Sequence, residues 1–389
     1  MKYIKRDIEP LLLKAVKQFP AVVLTGARQT GKSTLLKKLF PNFSYANLDT
    51  LKSKSYASED PQGFLNDHPC PVIIDEIQEV PELLSYIKEN IDSKRNKKGQ
   101  YLITGSQQFS LMEGVQESLA GRAAIMDLAG FSMHETQSLI KSPTWPEIVL
   151  KGSYPELCVN PKIDKELWYS SYIKTVINRD IAKHIKEANL FTYEKFIILL
   201  AARISQEINY SDISKELGVD YKTIQTWIYF LQRSQIIFFI QPYFKNLGKR
   251  LTKKPKLYFY DSGLVAYLTG HTAFEQIKNG SMSGAFFENL VMSEFIKQNF
   301  TLAHQKHFCF YRDSNKLEVD LIIDEPSSVR IIEIKSTATP RIDHTKNLIK
   351  LNEIIGADCK MFLISTSQDQ SKPKGVKYLN FKELDLASL

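Results

Sequence analysis

The sequence predicts an α/β protein of several domains. Its 389 residues exceed the roughly 100–200 residues of one typical domain. In the first third of the chain, short apolar runs alternate with helical stretches, which is typical of a parallel sheet flanked by helices. The 43% hydrophobic and 24% charged residues are those of a globular chain, and they exclude a collagenous or disordered protein.

Changes in the character of the chain predict four units along it. Residues 1–130 carry the apolar runs AVVLTG, PVIIDE and QYLITGS between helical stretches, and residues 131–203 are predicted to be a helical lid or connector. Residues 204–270 contain two short helices, a strand and a basic loop. The glycine-containing segment 280–284 is the candidate linker to a last unit, residues 280–389, in which the predicted order is helix, strand, strand, helix, strand.

Charge and cysteine content narrow the class of protein further. The 51 Lys and Arg residues outnumber the 43 Asp and Glu residues by 8, which suggests an anionic partner. The 4 cysteines form no C-x-x-C pair, which argues against a disulfide framework or zinc site and predicts a reducing, cytoplasmic location. No apolar run approaches the roughly 18–20 residues of a membrane helix, and the first ten residues lack a signal-peptide pattern, so we expect no membrane segment.

The strongest motif is a phosphate-binding loop. Residues 26–33 match G-x-x-x-x-G-K-[ST], after the apolar strand 21–25 and before an amphipathic helix. The glycines let backbone N–H groups wrap the phosphates of ATP, and the helix N-terminus adds partial positive charge. Lys32 is expected to reach the β- and γ-phosphates, and Ser33 to ligate Mg²⁺. The predicted nucleotide-binding residues are Gly26, Ala27, Arg28, Gln29, Thr30, Gly31, Lys32, Ser33 and Thr34.

Two carboxylates follow the second apolar strand. Buried acids at a strand end are costly unless they meet a metal or a proton-bearing substrate. We therefore expect Asp75 to hold Mg²⁺, directly or through water, and Glu76 to activate the attacking water as a general base. A third apolar run, 101–104, ends in Gly105-Ser106-Gln107. Ser106 and Gln107 both remain candidates for a polar residue that senses the γ-phosphate.

These motifs and their order resemble those of the AAA+ ATPases, and more closely a prokaryotic AAA family whose C-terminal region is of unknown function. The resemblance extends over nearly the whole chain, through GARQTGKST, VIIDEIQ, ITGS, LAGR at 119–122, GSYPE at 152–156, NRDI at 178–181 and YFYDSGL at 258–264. It implies that Arg122 is a candidate arginine finger reaching a neighbouring subunit, and hence a homo-oligomer. The alternative for Arg122 is an exposed arginine at a helix end. Arg179 is a weaker candidate, since Asp180 directly follows it.

The middle of the chain has the spacing of a winged helix-turn-helix. The helical segment 211–217, a Gly-Val turn, a second helix at 221–234 and a strand at 236–241 precede a basic loop with the placement of a wing. Lys222, Thr223 and Gln225 are best placed to approach a groove of DNA or another nucleic acid. Clustered cations without an acid neutralise phosphates, although such loops are often simply solvated. The loop's cations are Lys245, Lys249, Arg250, Lys253, Lys254 and Lys256.

The C-terminal unit carries acids on adjacent strands. Alternation places Asp320 on one face of its strand together with Glu318, and Glu333 on one face of the next strand together with Lys335. If these strands form a hairpin, the acids converge near Glu288 of the preceding helix and suit Mg²⁺, while the lysine orients water or stabilises developing charge.

This pattern is similar to that of the PD-(D/E)xK nuclease superfamily, although Val319 stands where the eponymous pattern has proline. The resemblance implies that Asp320 and Glu333 ligate a second Mg²⁺ or a Mn²⁺, that Lys335 is the catalytic lysine, and that Glu288 is the helix glutamate. The alternative is a nuclease-like fold kept for binding, with the acids in ion pairs. None of the 7 histidines has metal-ligand spacing.

Together, the sequence predicts an oligomeric ATPase that uses Mg²⁺ and ATP hydrolysis to move a winged-helix and nuclease-like region on nucleic acid. Two other functions remain open. In one, ATP gates an assembly whose C-terminal region binds a protein partner. In the other, the C-terminal region is a metal-dependent DNA nuclease that ATP regulates.

Overall fold

The computed structural model describes residues 3–105, 118–139, 142–177, 190–243, 254–326, 328–355, 359–367 and 375–389. These residues form two β-sheets, one of five strands and one of seven.

The five-stranded sheet is parallel and has the order β2-β3-β4-β1-β5. Alternate residues of β1 point into two separate hydrophobic clusters, so that helices cover both faces, as in parallel sheets generally. The predicted α/β class of this unit is confirmed. Its strands are β1 (Ala21–Thr25), β2 (Ser44–Asn47), β3 (Val72–Asp75), β4 (Tyr101–Gly105) and β5 (Ala123–Asp127), and its helices are α1 (Glu9–Gln18), α2 (Lys32–Leu39), α3 (Leu51–Glu59), α4 (Pro61–Asp67) and α5 (Leu83–Ser93), with a 3₁₀ turn at Ile77–Glu79.

A run of short helices follows the first sheet. Pro146 and Pro155 lie in the first turns of their helices, where the missing N–H of proline has no intrahelical partner to lose. The helices are α6 (Met133–Thr136), α7 (Trp145–Lys151), α8 (Pro155–Val159), α9 (Lys165–Tyr172), which continues as a π-helical turn at Ile173–Ile177, and α10 (Leu190–Ala201).

The next segment contains two helices, α11 (Tyr210–Leu217) and α12 (Tyr221–Arg233). Their spacing along the sequence is the one expected for a helix-turn-helix. Gly218 ends α11 in the left-handed conformation, with φ of +67°, and the Asp220 carboxylate caps α12. Ile213, Ile224 and Trp227 are buried between them. The strands β6 (Ile237–Pro242) and β7 (Lys256–Phe259) then form an antiparallel hairpin.

This hairpin belongs to the C-terminal sheet. Strand β6 also pairs in parallel with β8, which gives a continuous sheet of order β12-β11-β10-β9-β8-β6-β7. One hydrophobic cluster extends from Trp145 to Leu389. The ranges 204–270 and 280–389, which the sequence divides into two domains, thus share a sheet and a core.

The remaining elements complete that sheet and its covering helices. Strands β9 and β10 form the predicted hairpin, with Leu321 opposite Ile332. Strands β8 and β12 were not predicted. The elements are α13 (Ser262–Leu268), α14 (Phe274–Asn279), α15 (Ser283–Asn299), β8 (Phe308–Arg312), β9 (Glu318–Glu325), β10 (Ser328–Lys335), α16 (Lys346–Ile355), β11 (Lys360–Ser365) and β12 (Val376–Asn380), with 3₁₀ turns at Ile342–Thr345 and Phe381–Glu383.

Candidate functional site

The predicted phosphate loop lies between β1 and α2, at the C-terminal edge of the parallel sheet. Gly26 and Gly31 have φ of +149° and +90°, and a Cβ at Gly26 would collide with the carbonyl oxygen of Leu128. The loop therefore requires glycine at its first position for two reasons, backbone conformation and the close approach of β5.

Lys32 is held inside this loop. Its ammonium donates hydrogen bonds to the carbonyl oxygens of Gly26 and Ala27, each at 2.9 Å. Burial lowers the pKa of Lys32 to about 8, although the carboxylates of Glu76 and Asp75 partly oppose this shift. The cation is thus positioned by the loop, within electrostatic reach of both acids.

The two acids are oriented by neighbouring strands. The hydroxyl of Tyr45 donates to Oδ2 of Asp75 at 2.8 Å, and the hydroxyl of Thr104 donates to Oδ1. The backbone N–H of Glu76 donates to Oγ1 of Thr104 at 3.3 Å. Glu76 has φ of +58°, a conformation that non-glycine residues rarely adopt, and the amide of Gln78 donates to its carboxylate. Thr104 on β4 thereby joins both acids, a role that the sequence did not indicate.

The N-terminal segment supports the loop from outside. The buried guanidinium of Arg6 donates to the carbonyl oxygen of Thr30 at 2.9 Å and to that of Ala129 at 2.8 Å. It also pairs with the carboxylate of Glu135 at 2.9 Å. Arg6 therefore connects the phosphate loop to the end of β5 and to α6.

A glutamine that follows α12 also contacts the phosphate loop. Gln235 lies two residues before β6 and is buried, with φ of +52°. Its Oε1 accepts a hydrogen bond from the backbone N–H of Ala27 at 3.2 Å, and its Nε2 donates to Oδ1 of Asp127 at 2.9 Å. Thr25 donates to the same oxygen of Asp127 at 2.6 Å. A residue 208 positions away in sequence is thus part of the loop's hydrogen-bonding shell.

The other residues predicted for the ATP site are placed as follows. The guanidinium of Arg122 forms two hydrogen bonds, of 2.7 and 2.9 Å, with the carboxylate of Asp92 in the same chain. Ser106, Gln107, Arg179 and Asp180 lie outside the described residues.

The C-terminal acids converge as the alternation predicts. The ammonium of Lys335 lies 2.6 Å from Oε1 of Glu333 and 3.7 Å from Oδ2 of Asp320, which also accepts the backbone N–H of Ile334 at 2.8 Å. Oε2 of Glu333 is buried without a hydrogen-bond partner. Burial raises the pKa of Glu333, and that of Glu288 as well, since desolvation disfavours the charged carboxylates.

The position of Lys256 differs from the predicted one. The sequence assigns it to an exposed basic loop, but its side chain is 2% exposed and its ammonium enters the acid cluster. The nitrogen lies 2.6 Å from Glu318, 3.3 Å from Glu288 and 3.7 Å from Asp320. The hydroxyl of Tyr258 donates to Glu288 at 2.6 Å. Lys256 is therefore unable to contact a nucleic acid from this position.

Of the other predicted nucleic-acid contacts, Lys222, Gln225 and Lys254 are exposed and Thr223 is half-buried. Lys245, Lys249, Arg250 and Lys253 lie outside the described residues. Within the described part of the chain, no group of three or more His, Cys, Asp or Glu residues is arranged to hold a metal ion, so a second Mg²⁺ or a Mn²⁺ at the C-terminal acids is not supported.

Two sequence segments that carry the resemblance also meet in space. The carboxylate of Asp261 accepts hydrogen bonds from the Ser153 backbone N–H at 2.5 Å, from its hydroxyl at 2.8 Å and from Tyr169 at 2.7 Å. The GSYPE and YFYDSGL segments thus join the helical connector to α13, which gives them a structural role.

Comparison with protein-family models divides the chain into three parts. Residues 18–137 match an AAA domain, residues 142–275 match a domain of unknown function (DUF8612), and residues 283–384 match another (DUF4143). Among the described residues, none of the helices has both the length and the apolar character needed to cross a bilayer.

Curated relatives align with most of the chain. An uncharacterized protein of Mycobacterium tuberculosis is 27% identical over 345 residues, which are 88% of this chain and 76% of that protein. An uncharacterized protein of Haemophilus influenzae is 22% identical over 370 residues, 85% of this chain and 86% of that protein.

Solved structures give weaker likenesses. The Walker-type ATPase of Pyrococcus abyssi has a TM-score of 0.42 and 17% identity, with 66% of this chain and 93% of that chain covered. The RuvB Holliday junction branch migration motor of Thermotoga maritima has a TM-score of 0.32 and 14% identity, with 60% and 89% covered. The family matches, together with the geometry of the loop, support an AAA+ ATPase with a C-terminal domain of unknown function.

Proposed function

We propose that this chain hydrolyses ATP and couples the hydrolysis to nucleic-acid binding by its C-terminal region. The observation that carries the coupling is Gln235, whose amide bridges the phosphate loop and the end of β5. Because Gln235 lies two residues after the end of α12, a change in the loop on nucleotide binding can reach the helix that the sequence places nearest a nucleic acid.

The residues of the ATP site have distinct roles in this proposal. The ammonium of Lys32 exchanges its two loop carbonyls for phosphate oxygens and stabilises charge that develops on them. The Glu76 carboxylate accepts the proton of the attacking water. Ser33 and Asp75 supply a hydroxyl and a carboxylate oxygen, the donors that Mg²⁺ prefers. They would hold that ion, which neutralises phosphate charge when bound.

Helix α12 is suited to transmit the change as a rigid element. Its 13 residues span about 20 Å at 1.5 Å per residue. Gln235 lies just beyond its C-terminus, while Lys222 and Gln225 are exposed near its N-terminus. A shift at one end therefore repositions the other, provided that ATP favours one of two arrangements of the contact.

The proposed role of Arg122 as an arginine finger requires its ion pair with Asp92 to open. Its guanidinium is held at the surface by Asp92, with 21% of the arginine side chain exposed. To act as an arginine finger it exchanges Asp92 for a γ-phosphate on a neighbouring subunit, which requires a homo-oligomer.

The proposed partner is an anionic polymer, and DNA is the one to test first. The net charge of +8 and the six cations within residues 245–256 favour it, although Lys256 is withdrawn into the interior. The test is steady-state ATPase activity in Mg²⁺ with and without linear and branched DNAs, with Lys32→Ala as the inactive control.

We expect hydrolysis by the natural chain, none by Lys32→Ala, and a rate that changes when DNA is added. If ATP is hydrolysed but no DNA binds or alters the rate, the coupling proposal is wrong and a nucleotide-gated switch with a protein partner is favoured. If the natural chain hydrolyses no ATP, the proposal fails at its first step.

A further inference from the structure

The acid cluster of the C-terminal sheet contains a cation that belongs to the chain. Lys256 begins β7, and β7 is an edge strand of the seven-stranded sheet. Its ammonium is within 4 Å of three carboxylates, on α15 and β9, and lies 5.4 Å from the ring centroid of Phe310. The side chain is 2% exposed, so the contact is an interior one.

Lys256 contacts Asp320, one of the two carboxylates predicted to ligate a metal, and Glu288, the helix glutamate beside it. A divalent ion on Glu288 Oε1, at the usual Mg²⁺–oxygen distance of about 2.1 Å, would lie no more than about 5.4 Å from the lysine nitrogen, since that nitrogen is 3.3 Å from the same oxygen. Two cations this close in the interior repel each other strongly, because little water screens them. The ammonium therefore opposes the binding of a metal at these carboxylates.

The rest of the cluster is also neutralised from within. Lys335 pairs with Glu333 at 2.6 Å and approaches Asp320 at 3.7 Å, on the side opposite the oxygen that faces Lys256. Asp320 is thus placed between two ammonium groups, one on each carboxylate oxygen. Buried carboxylates need such partners, and here the chain supplies them to Asp320 and to Oε1 of Glu333, while Oε2 of Glu333 has no hydrogen-bond partner.

We propose that Lys256 takes the place of a divalent metal in this acid cluster, so that the C-terminal unit binds neither Mg²⁺ nor Mn²⁺ there. The inference deepens the proposed function, because it assigns the C-terminal unit to binding nucleic acid without metal-dependent cleavage. Whether the cluster binds a metal depends only on its geometry and not on which partner the C-terminal unit binds.

The proposal predicts that removing the ammonium opens a metal site. Lys256→Met keeps most of the side-chain volume while deleting the charge, which leaves Glu288, Glu318 and Asp320 with an unbalanced negative charge. We expect this variant to bind one Mn²⁺ per chain at least about tenfold more tightly than the natural chain, and Asp320→Asn in the same background to remove that binding.

Mn²⁺ uptake by the full chain can be measured by calorimetry and by loss of the free-ion electron paramagnetic resonance signal. Omitting nucleotide and nucleic acid keeps the phosphate loop out of the measurement, so failure of this inference is distinguishable from failure of the ATPase proposal. Lys254→Met, two residues away and exposed, is the matched control and should bind Mn²⁺ as the natural chain does. Lys256→Arg retains the positive charge and, like the natural chain, should bind no Mn²⁺ in the cluster.

Two results would overturn the inference. One is stoichiometric, submillimolar Mn²⁺ binding by the natural chain that Asp320→Asn abolishes, which requires no Lys256 variant to fold. The other is a folded Lys256→Met chain that binds no more Mn²⁺ than the natural one. Lys256→Gln provides the same comparison if the methionine variant does not fold, as judged by circular dichroism.

Discussion

The contact between Gln235 and the phosphate loop can be removed with a single substitution. Gln235→Ala deletes both hydrogen bonds, the one accepted from Ala27 at 3.2 Å and the one donated to Asp127 at 2.9 Å. A hydrogen bond to a charged group contributes about 1.5–3 kcal/mol and a neutral one about 0.5–1.5 kcal/mol. Alanine experiences the same strain at φ of +52° as glutamine, so no relief offsets the loss. We expect a cost of about 2–4.5 kcal/mol.

Urea unfolding followed by tryptophan fluorescence measures that cost, because Trp227 is buried on α12, the helix that precedes Gln235. Gln232→Ala, at the exposed end of the same helix, is the matched control and should change the free energy of unfolding by less than about 0.5 kcal/mol. The second measurement is the ratio of ATPase rates with and without DNA, which should approach one in the Gln235 variant.

The two measurements refute different parts of the reasoning. A loss of stability below about 0.5 kcal/mol would mean that the bridge contributes nothing beyond what water supplies. An unchanged DNA response in a chain that is destabilised as expected would mean that the contact is structural only, and that coupling between the ATP site and α12 takes another route.

Three further predictions concern the ATP site and the basic loop. Burial holds the pKa of Lys32 at about 8 in the free protein, and ATP binds the charged form of this lysine. ATP binding should therefore take up a proton above pH 8, and the affinity should weaken by up to about tenfold per pH unit, as measured by calorimetry in buffers of different ionisation enthalpy. An affinity for ATP that is independent of pH between 8 and 10 would contradict the lowered pKa. Glu76→Gln should bind ATP yet leave it unhydrolysed, and normal turnover would exclude the carboxylate as general base. The last change neutralises four cations of the basic loop, Lys249, Arg250, Lys253 and Lys254. It should lower the slope of log affinity for duplex DNA against log salt concentration by up to about 3.6. An unchanged slope would exclude the loop as a DNA contact.

The ATP site is the part of the molecule that the sequence predicts best. Its loop is continuous in sequence, and the spacing of Gly26, Gly31 and Lys32 follows from the geometry of one turn between a strand and a helix. Asp75 and Glu76 were recognised for the same reason, since they end a strand in the same sheet. Thr104, which orients both, was missed because its role depends on which strands are neighbours.

The sequence alone did not predict the contacts between distant parts of the chain. Lys256 stands in a run of cations, and its burial arises only when β7 pairs with β6 and α15 covers the result. One local signal was present. Alternation places Lys256 and Tyr258 on the same face of a short strand, and both contact Glu288. A cation that shares a strand face with a buried aromatic residue indicates an interior partner more than a solvated loop.

The β6–β7 hairpin connects the two sites that this fold presents. Gln235 lies two residues before β6 and contacts the phosphate loop, and Lys256 begins β7 and occupies the acid cluster. Paired strands are stiff along their hydrogen-bonded ladder, and Ile240 of β6 lies opposite Lys256. Because one short hairpin carries both contacts, displacement of Gln235 is resisted by the three ion pairs of the buried Lys256 ammonium at its other end. A fixed ammonium serves that purpose better than an exchangeable metal, since it cannot leave the cluster.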